Sequence, residues 1–193
     1  VILFSDAGRD TAQRIATAIG AQIHICGQGG DDALKLLPRL FTEGRTIIGI
    51  CAAGILIRLL ASSLEDKRKE PPVLAVSQDG ASVVPLLGGH HGANRLARQL
   101  AETLGGTAAI TTASDLKFDR ALDEPPEGWV LGTPREAKPA MMALLLGAKL
   151  QVEGHAPFLA EAGYPVSSSG SVKVLVTETA QRVERGIVYH PKT

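Results

Sequence analysis

Two adjacent histidines, His90 and His91, stand inside the glycine-rich stretch Gly88-Gly89-His90-His91-Gly92-Ala93-Asn94. An imidazole exchanges protons near neutral pH, so either ring suits general acid–base work. The flanking glycines let a ligand approach the main chain closely. Asn94 is a good N-cap for the helix that follows, and a helix N-terminus turns free N–H groups toward anionic groups such as carboxylates. Two readings stay open from these residues: a loop for an acidic or polar small molecule, or a tight strand-to-helix turn with two surface histidines. The stretch lacks the Lys-Ser or Lys-Thr pair of a phosphate-cradling loop, and it lacks the dinucleotide fingerprint.

Positioning such a loop takes a strand before it and a helix after it. Residues 83–87 are apolar and β-branched enough for a short strand, and Leu96, Ala97, Leu100, Ala101 and Leu104 repeat at helical spacing up to Gly105-Gly106. Upstream, apolar runs at 1–4, 21–26 and 46–51 predict strands. Helices are expected at 9–19, at 31–41 with Pro38 disturbing the last turn, and at 55–62. Residues 73–76 and 82–87 flank Gln78-Asp79-Gly80, a hairpin signal, and 108–110 predicts one more strand. The charged run 65–70 reads as a solvated helix end and loop. A polar, proline-rich stretch at 123–128 has linker composition. Beyond it come strand candidates at 129–131, 149–152, 172–176 and 186–189 and a helix at 134–146. The expectation is an α/β protein: a layered, mostly parallel sheet domain over 1–116, then a smaller α/β module over 117–193.

Composition narrows the partners. With 20 basic and 20 acidic residues in 193, the chain offers no electrostatic case for nucleic acid or an anionic membrane surface. Aromatics make up 4%, too few for a base-stacking platform. No apolar run reaches the roughly 20 residues that span a bilayer. Cys26 and Cys51 are isolated and fit reduced, buried thiols, which points to the cytoplasm; no histidine pair has metal-ligand company, so no protein-bound metal is expected. Val1 stands inside a strand pattern with no signal-peptide pattern, as in a piece of something longer.

Five blocks then come in a shared order: Ala53-Gly54-Ile55-Leu56-Ile57-Arg58-Leu59-Leu60-Ala61, Asp66-Lys67, Pro72-Val73-Leu74-Ala75-Val76, Leu86 through Asn94, and Ile110-Thr111-Thr112-Ala113-Ser114-Asp115. In these the chain resembles the CbiG-type proteins, the cobalt-precorrin-5A hydrolases of cobalamin (vitamin B12) biosynthesis. The family's loop reads Ser-Gly-His-x-Gly-Gly-Ala-Asn, and the loop here is one glycine shorter. The resemblance covers residues 1 to about 115 as the N-terminal domain and, more loosely, 118–193 as the central domain. Ile50-Cys51-Ala52-Ala53-Gly54-Ile55-Leu56-Ile57-Arg58, the doubled histidine and Leu122-Asp123-Glu124-Pro125-Pro126 followed by Gly128-Trp129 also resemble the region fused ahead of precorrin-3B C17-methyltransferase in some bacteria. On that pattern a methyltransferase would lie beyond Thr193.

The resemblance implies hydrolytic opening of the δ-lactone of cobalt-precorrin-5A with release of acetaldehyde. The substrate is a tetrapyrrole bearing acetate and propionate arms. His90 is the implied base and His91 the alternative. The N–H groups of Gly88, Gly89 and Gly92 are implied oxyanion donors, and Arg58, Gly54, Asn94, Thr111 and Thr112 implied substrate contacts. No cofactor belongs to the chain itself: cobalt arrives inside the substrate, and S-adenosylmethionine enters only with a methyltransferase domain. The alternative is a non-catalytic region that binds the tetrapyrrole for a fused or associated methyltransferase. Each residue also has a plainer role open to it: a salt bridge for Arg58, a helix cap for Asn94, a strand-end turn for Thr111 and Thr112.

Overall fold

A computed structural model describes residues 1–27, 29–67, 69–112, 117–178 and 186–192, and the main chain but not the side chain of His90. The chain divides into two compact units, Val1–Ile110 and Thr111–Thr193. The expected boundary at 116/117 abuts residues 113–116, which lie outside the described residues, as do Ala113, Ser114 and Asp115 of the fifth sequence block.

The first unit is a sheet between two helix layers. In chain order its elements are β1 (Ile2–Leu3), α1 (Arg9–Ile19), β2 (His24–Ile25), α2 (Ala33–Thr42), β3 (Ile47–Ile50), α3 (Ala53–Leu60), β4 (Val73–Val76), β5 (Ser82–Leu87), α4 (Ala93–Leu104) and β6 (Thr107–Ala108). Strand order is β2-β1-β3-β4-β5-β6, with β4/β5 antiparallel and the other neighbours parallel. The mostly parallel α/β expectation therefore holds. Apolar residues on both faces of β3 and β4 explain it, since such strands bury themselves between helices. Ile48, Ile50, Leu74 and Val76 pack with α1 and α4, whereas Ile47, Val73 and Ala75 pack with α2 and α3.

Several local details carry the fold. Gly20 ends α1 in the left-handed region at φ 65°, where glycine alone is unstrained. Pro38 does not break α2, because the bond it forfeits would go to the Leu34 carbonyl in the exposed first turn. Asp32 caps that helix by accepting from the Leu34 N–H at 3.0 Å. Gly49 lets α3 lie close on β3: a Cβ there would stand 2.8 Å from Leu56 Cδ2. The β4–β5 turn is tied by Asp79, whose carboxylate accepts from the Ser77 hydroxyl at 2.5 Å and the Ala81 N–H at 3.0 Å. Those bonds hold the Asp79 carboxyl below its ordinary pKa.

The second unit has a four-stranded sheet, β7 (Trp129–Leu131), β8 (Leu150–Glu153), β9 (Val172–Val176) and β10 (Ile187–Pro191), in the order β7-β10-β9-β8. Only β7 runs antiparallel to its neighbour. Helices α5 (Pro134–Leu145) and α6 (Pro157–Glu161) accompany it; the short α6 carries too few apolar repeats to be legible beforehand. Its core joins Phe118, Leu122, Leu144, Tyr164 and Tyr189. The Tyr189 hydroxyl donates to the Leu122 carbonyl at 2.6 Å, and burial foremost, with Asp123 adding to it, pushes this phenol well above its usual range. Leu122 is thus a core residue of this unit, and 123–128 continues within the unit rather than linking two domains.

Leu56 is fully buried between α3 and the sheet. Leu56→Ala is expected to cost about 2–5 kcal/mol, the range for a leucine truncated in a tight core. Urea melts of both chains measure it; a loss under about 0.5 kcal/mol would contradict the packing described.

Candidate functional site

The glycine-rich stretch is a 3-10 turn, Gly89–His91, bracketed by two left-handed glycines. Gly88 has φ 73° and Gly92 φ 89°. A Cβ on Gly88 would lie 2.5 Å from the Pro71 carbonyl, so this position is closed to any side chain. The Gly88 carbonyl accepts from the His91 N–H at 2.9 Å and the Ala93 N–H at 3.1 Å, folding the loop onto itself. His91 is exposed.

Two expectations about this loop need correction. Gly92, not Asn94, occupies the N-cap of α4, so the helix starts two residues earlier, after the left-handed Gly92. Asn94 lies inside the first turn, 7% exposed, with its amide nitrogen 3.7 Å from where a Gly89 Cβ would be. Its side chain braces the loop from within. Second, the Gly92 N–H already donates to the Gly89 carbonyl at 3.2 Å, so it is not a spare oxyanion donor.

The register then separates residues that the sequence grouped. Ile47 pairs with Val73 and Val73 with Leu87, so Gly88–Asn94 leaves the sheet at the edge where β3 and β4 begin. Ile50 pairs with Val76 and Val76 with Val83, so Cys51–Gly54 leaves at the opposite edge. Gly54 and Arg58 therefore do not join the histidine loop. The Arg58 Nη1 donates to the Gly54 carbonyl at 2.9 Å, which draws the guanidinium toward that far edge. Thr111 and Thr112 fall in the second unit.

Arg95 went unnoticed in the sequence. Its guanidinium lies over Gly92, with Nη2 3.2 Å from the place a Cβ would take. The legible signal was its spacing, three residues past a glycine at a helix start. Beyond β3 and β4, at the far edge, a cleft of about 290 Å³ is lined by Cys51, Ala52, Ala53, Ser77, Gln78 and Ser82, with Ala75, Val76 and Val84 as its apolar floor. Burial pushes the Cys51 thiol up to about 11, so it is neutral at physiological pH. Among the described residues no group of three His, Cys, Asp or Glu side chains gathers to hold a metal ion, and no helix is long and apolar enough to cross a membrane.

Comparison with known proteins follows this geometry. The family model "Cobalamin synthesis G N-terminal" matches residues 35–115, a span that includes β3, α3, β4, β5, the histidine loop and α4. That stretch is similar to the cobalamin synthesis G N-terminal family, and the match takes in less than half of the chain. The chain is 44% identical over 84 residues to a cobalt-precorrin-5A hydrolase of Salmonella typhimurium and 40% identical over 83 residues to one of Priestia megaterium. These alignments take in 43% and 42% of this chain but only 24% and 22% of those relatives. In fold, 98% of the chain superposes on 59% of a cobalamin biosynthesis protein G homologue from Sulfolobus solfataricus, with TM-score 0.53 and 17% identity.

Two outcomes test the geometry. Gly88→Ala, strained in φ and blocked by Pro71, is expected to destabilise the chain by more than about 1 kcal/mol in denaturant melts; an unchanged midpoint would refute the turn. Alkylation of Cys51 by iodoacetamide, followed by peptide mass mapping, is expected to be slow at pH 8 and to accelerate only as pH approaches 11, because the thiolate is the nucleophile. A rate typical of a free thiol at pH 8 would contradict the burial.

Proposed function

We propose that this chain works in corrin-ring synthesis, opening the δ-lactone of cobalt-precorrin-5A by hydrolysis and releasing acetaldehyde. The observation that carries the reading is the family match over residues 35–115, which contains the whole Gly88–Asn94 turn, beside 40–44% identity to hydrolase relatives over 83–84 residues. In this reading an imidazole takes a proton from water, and the resulting hydroxide adds to the lactone carbonyl. The Gly88 and Gly89 N–H groups face the developing oxyanion. Collapse breaks the ring C–O bond, and the imidazolium returns its proton to the departing oxygen. The freed alcohol then gives up its hydroxyl proton as its carbon–carbon bond to the macrocycle breaks; acetaldehyde leaves, and the macrocycle takes the electron pair and a proton. His90 is the base, with His91 second in line. Arg95, over the same loop, supplies positive charge for a substrate carboxylate.

Cobalt belongs to the pigment here, and the chain itself carries no cofactor; S-adenosylmethionine would come only with a fused or associated methyltransferase. The setting is the cytoplasm, in keeping with two free cysteines.

Incubation with cobalt-precorrin-5A and trapping of acetaldehyde tests this reading. His90→Ala is expected to lower release by roughly two to four orders of magnitude. A near-wild-type rate would remove His90 from the mechanism. A pigment that binds with no release from the wild-type chain would favour the non-catalytic, tetrapyrrole-binding alternative.

A further inference from the structure

The sheet of the second unit has a hollow on the face turned away from α5 and α6. Leu150 and Val152 of β8 and Val172, Val174 and Val176 of β9 pack in the core with Leu144 of α5 and Leu159 of α6. Strand alternation therefore turns Gln151, Glu153, Lys173 and Leu175 to the other face. There a pocket of about 520 Å³, ample for a small molecule, is lined by those four side chains together with Ser168 and Gly186. Its rim is pinned. The Ser167 N–H donates to the Leu150 carbonyl at 2.8 Å, and a Cβ on Gly170 would stand 2.5 Å from that same oxygen, so loop 167–170 lies against β8 and holds Ser168 in place. At Gly186, just before β10, φ is 128° and a Cβ would come within 3.0 Å of the Lys173 carbonyl. Only glycine is unstrained there, and its missing side chain leaves the sheet open beside Lys173.

The chemistry of the hollow is that of two opposite charges left unpaired. Lys173 is in register with Gln151 and Leu175 with Glu153, so Lys173 and Glu153 are diagonal neighbours. Strands about 4.8 Å apart, rising about 3.3 Å per residue, put the two main-chain positions roughly 8 Å from each other. Opposite charges on neighbouring strands stabilise a sheet when they pair. Here neither makes an ion pair with any described residue. The Gln151 amide and the Ser168 hydroxyl likewise have no hydrogen-bond partner among the described residues. A cation and an anion held apart beside the apolar Leu175 suit a ligand that carries both charges close together and an apolar side chain as well.

We propose that this hollow on β8 and β9 is a binding site for a small zwitterion of the α-amino acid kind, with Lys173 taking its carboxylate, Glu153 its ammonium and Leu175 its apolar side chain. The site shares no residue with the histidine loop and stands or falls apart from the hydrolase reading.

The probe is leucine, titrated into the full 193-residue chain and followed by amide NMR shifts. Leucinamide, which lacks the carboxylate, and isocaproate, which lacks the ammonium, are titrated beside it. Leucine is expected to bind in the millimolar range, with its largest shifts at Gln151, Lys173 and Leu175. It should outbind either analogue about tenfold, the effect of one charge-assisted contact. Lys173→Gln is expected to erase the preference over leucinamide and keep that over isocaproate; Glu153→Gln should do the opposite. Both side chains are exposed, and surface substitutions of this kind leave a fold intact. A general loss of structure would weaken all three ligands alike, whereas the proposal exchanges one preference at a time. The wild-type chain also decides by itself. Equal binding of leucine and both analogues overturns the proposal, as do shifts centred away from β8 and β9 or no shift at about 50 mM leucine. Preferences that survive both substitutions overturn it too.

Discussion

The reversal at Ser77–Ser82 is the constraint on which the functional geometry depends. Four strands run parallel, and a fifth returns through a turn closed by the Ser77 N–H on the Ser82 carbonyl and knotted by Asp79. Had β5 been reached by a helical crossover, Gly88–Asn94 would follow its strand at the same edge as Cys51–Gly54. The antiparallel return sends it to the other end, so a sheet of ordinary α/β design offers two loop clusters instead of one.

Each cluster is built with glycine, for different physical reasons. At Gly88 the backbone is left-handed and Pro71 leaves no room for a methyl, so both conformation and contact demand glycine. At Gly54 the backbone is helical and the space is taken by the end of a flexible arginine. The first glycine makes the turn possible; the second sets where a charge resides. Between them the core is mostly aliphatic packing, which holds the edges at fixed separation.

The second unit is organised around tyrosines instead. Tyr164 and Tyr189 each bury a ring among apolar neighbours and send a hydroxyl to a main-chain carbonyl, of Arg120 and Leu122 respectively. Those bonds tie 118–122 to the core, which is why the proline-rich stretch after it, linker-like in composition, runs inside a folded unit.

Much was legible in the sequence alone. Helix α1 and strands β5, β7 and β9 follow directly from local apolar periodicity, bounded by glycine, and Asp79-Gly80 announces its hairpin because a tight turn needs those residues whatever surrounds it. The histidine loop and its glycines were legible for the same reason: close main-chain approach is a local demand. What local pattern does not carry is direction and register. The family resemblance grouped Gly54 and Arg58 with the histidine loop only as implied substrate contacts; hydrogen bonding between β3, β4 and β5 decides that the two stretches leave opposite ends of the sheet. Likewise Asn94 has the chemistry of a cap, but the left-handed Gly92 starts the helix first, and Asn94 turns inward to brace the loop. Residue type fixed what each group is able to do, and tertiary pairing, which sums contacts far apart in sequence, decided which groups meet.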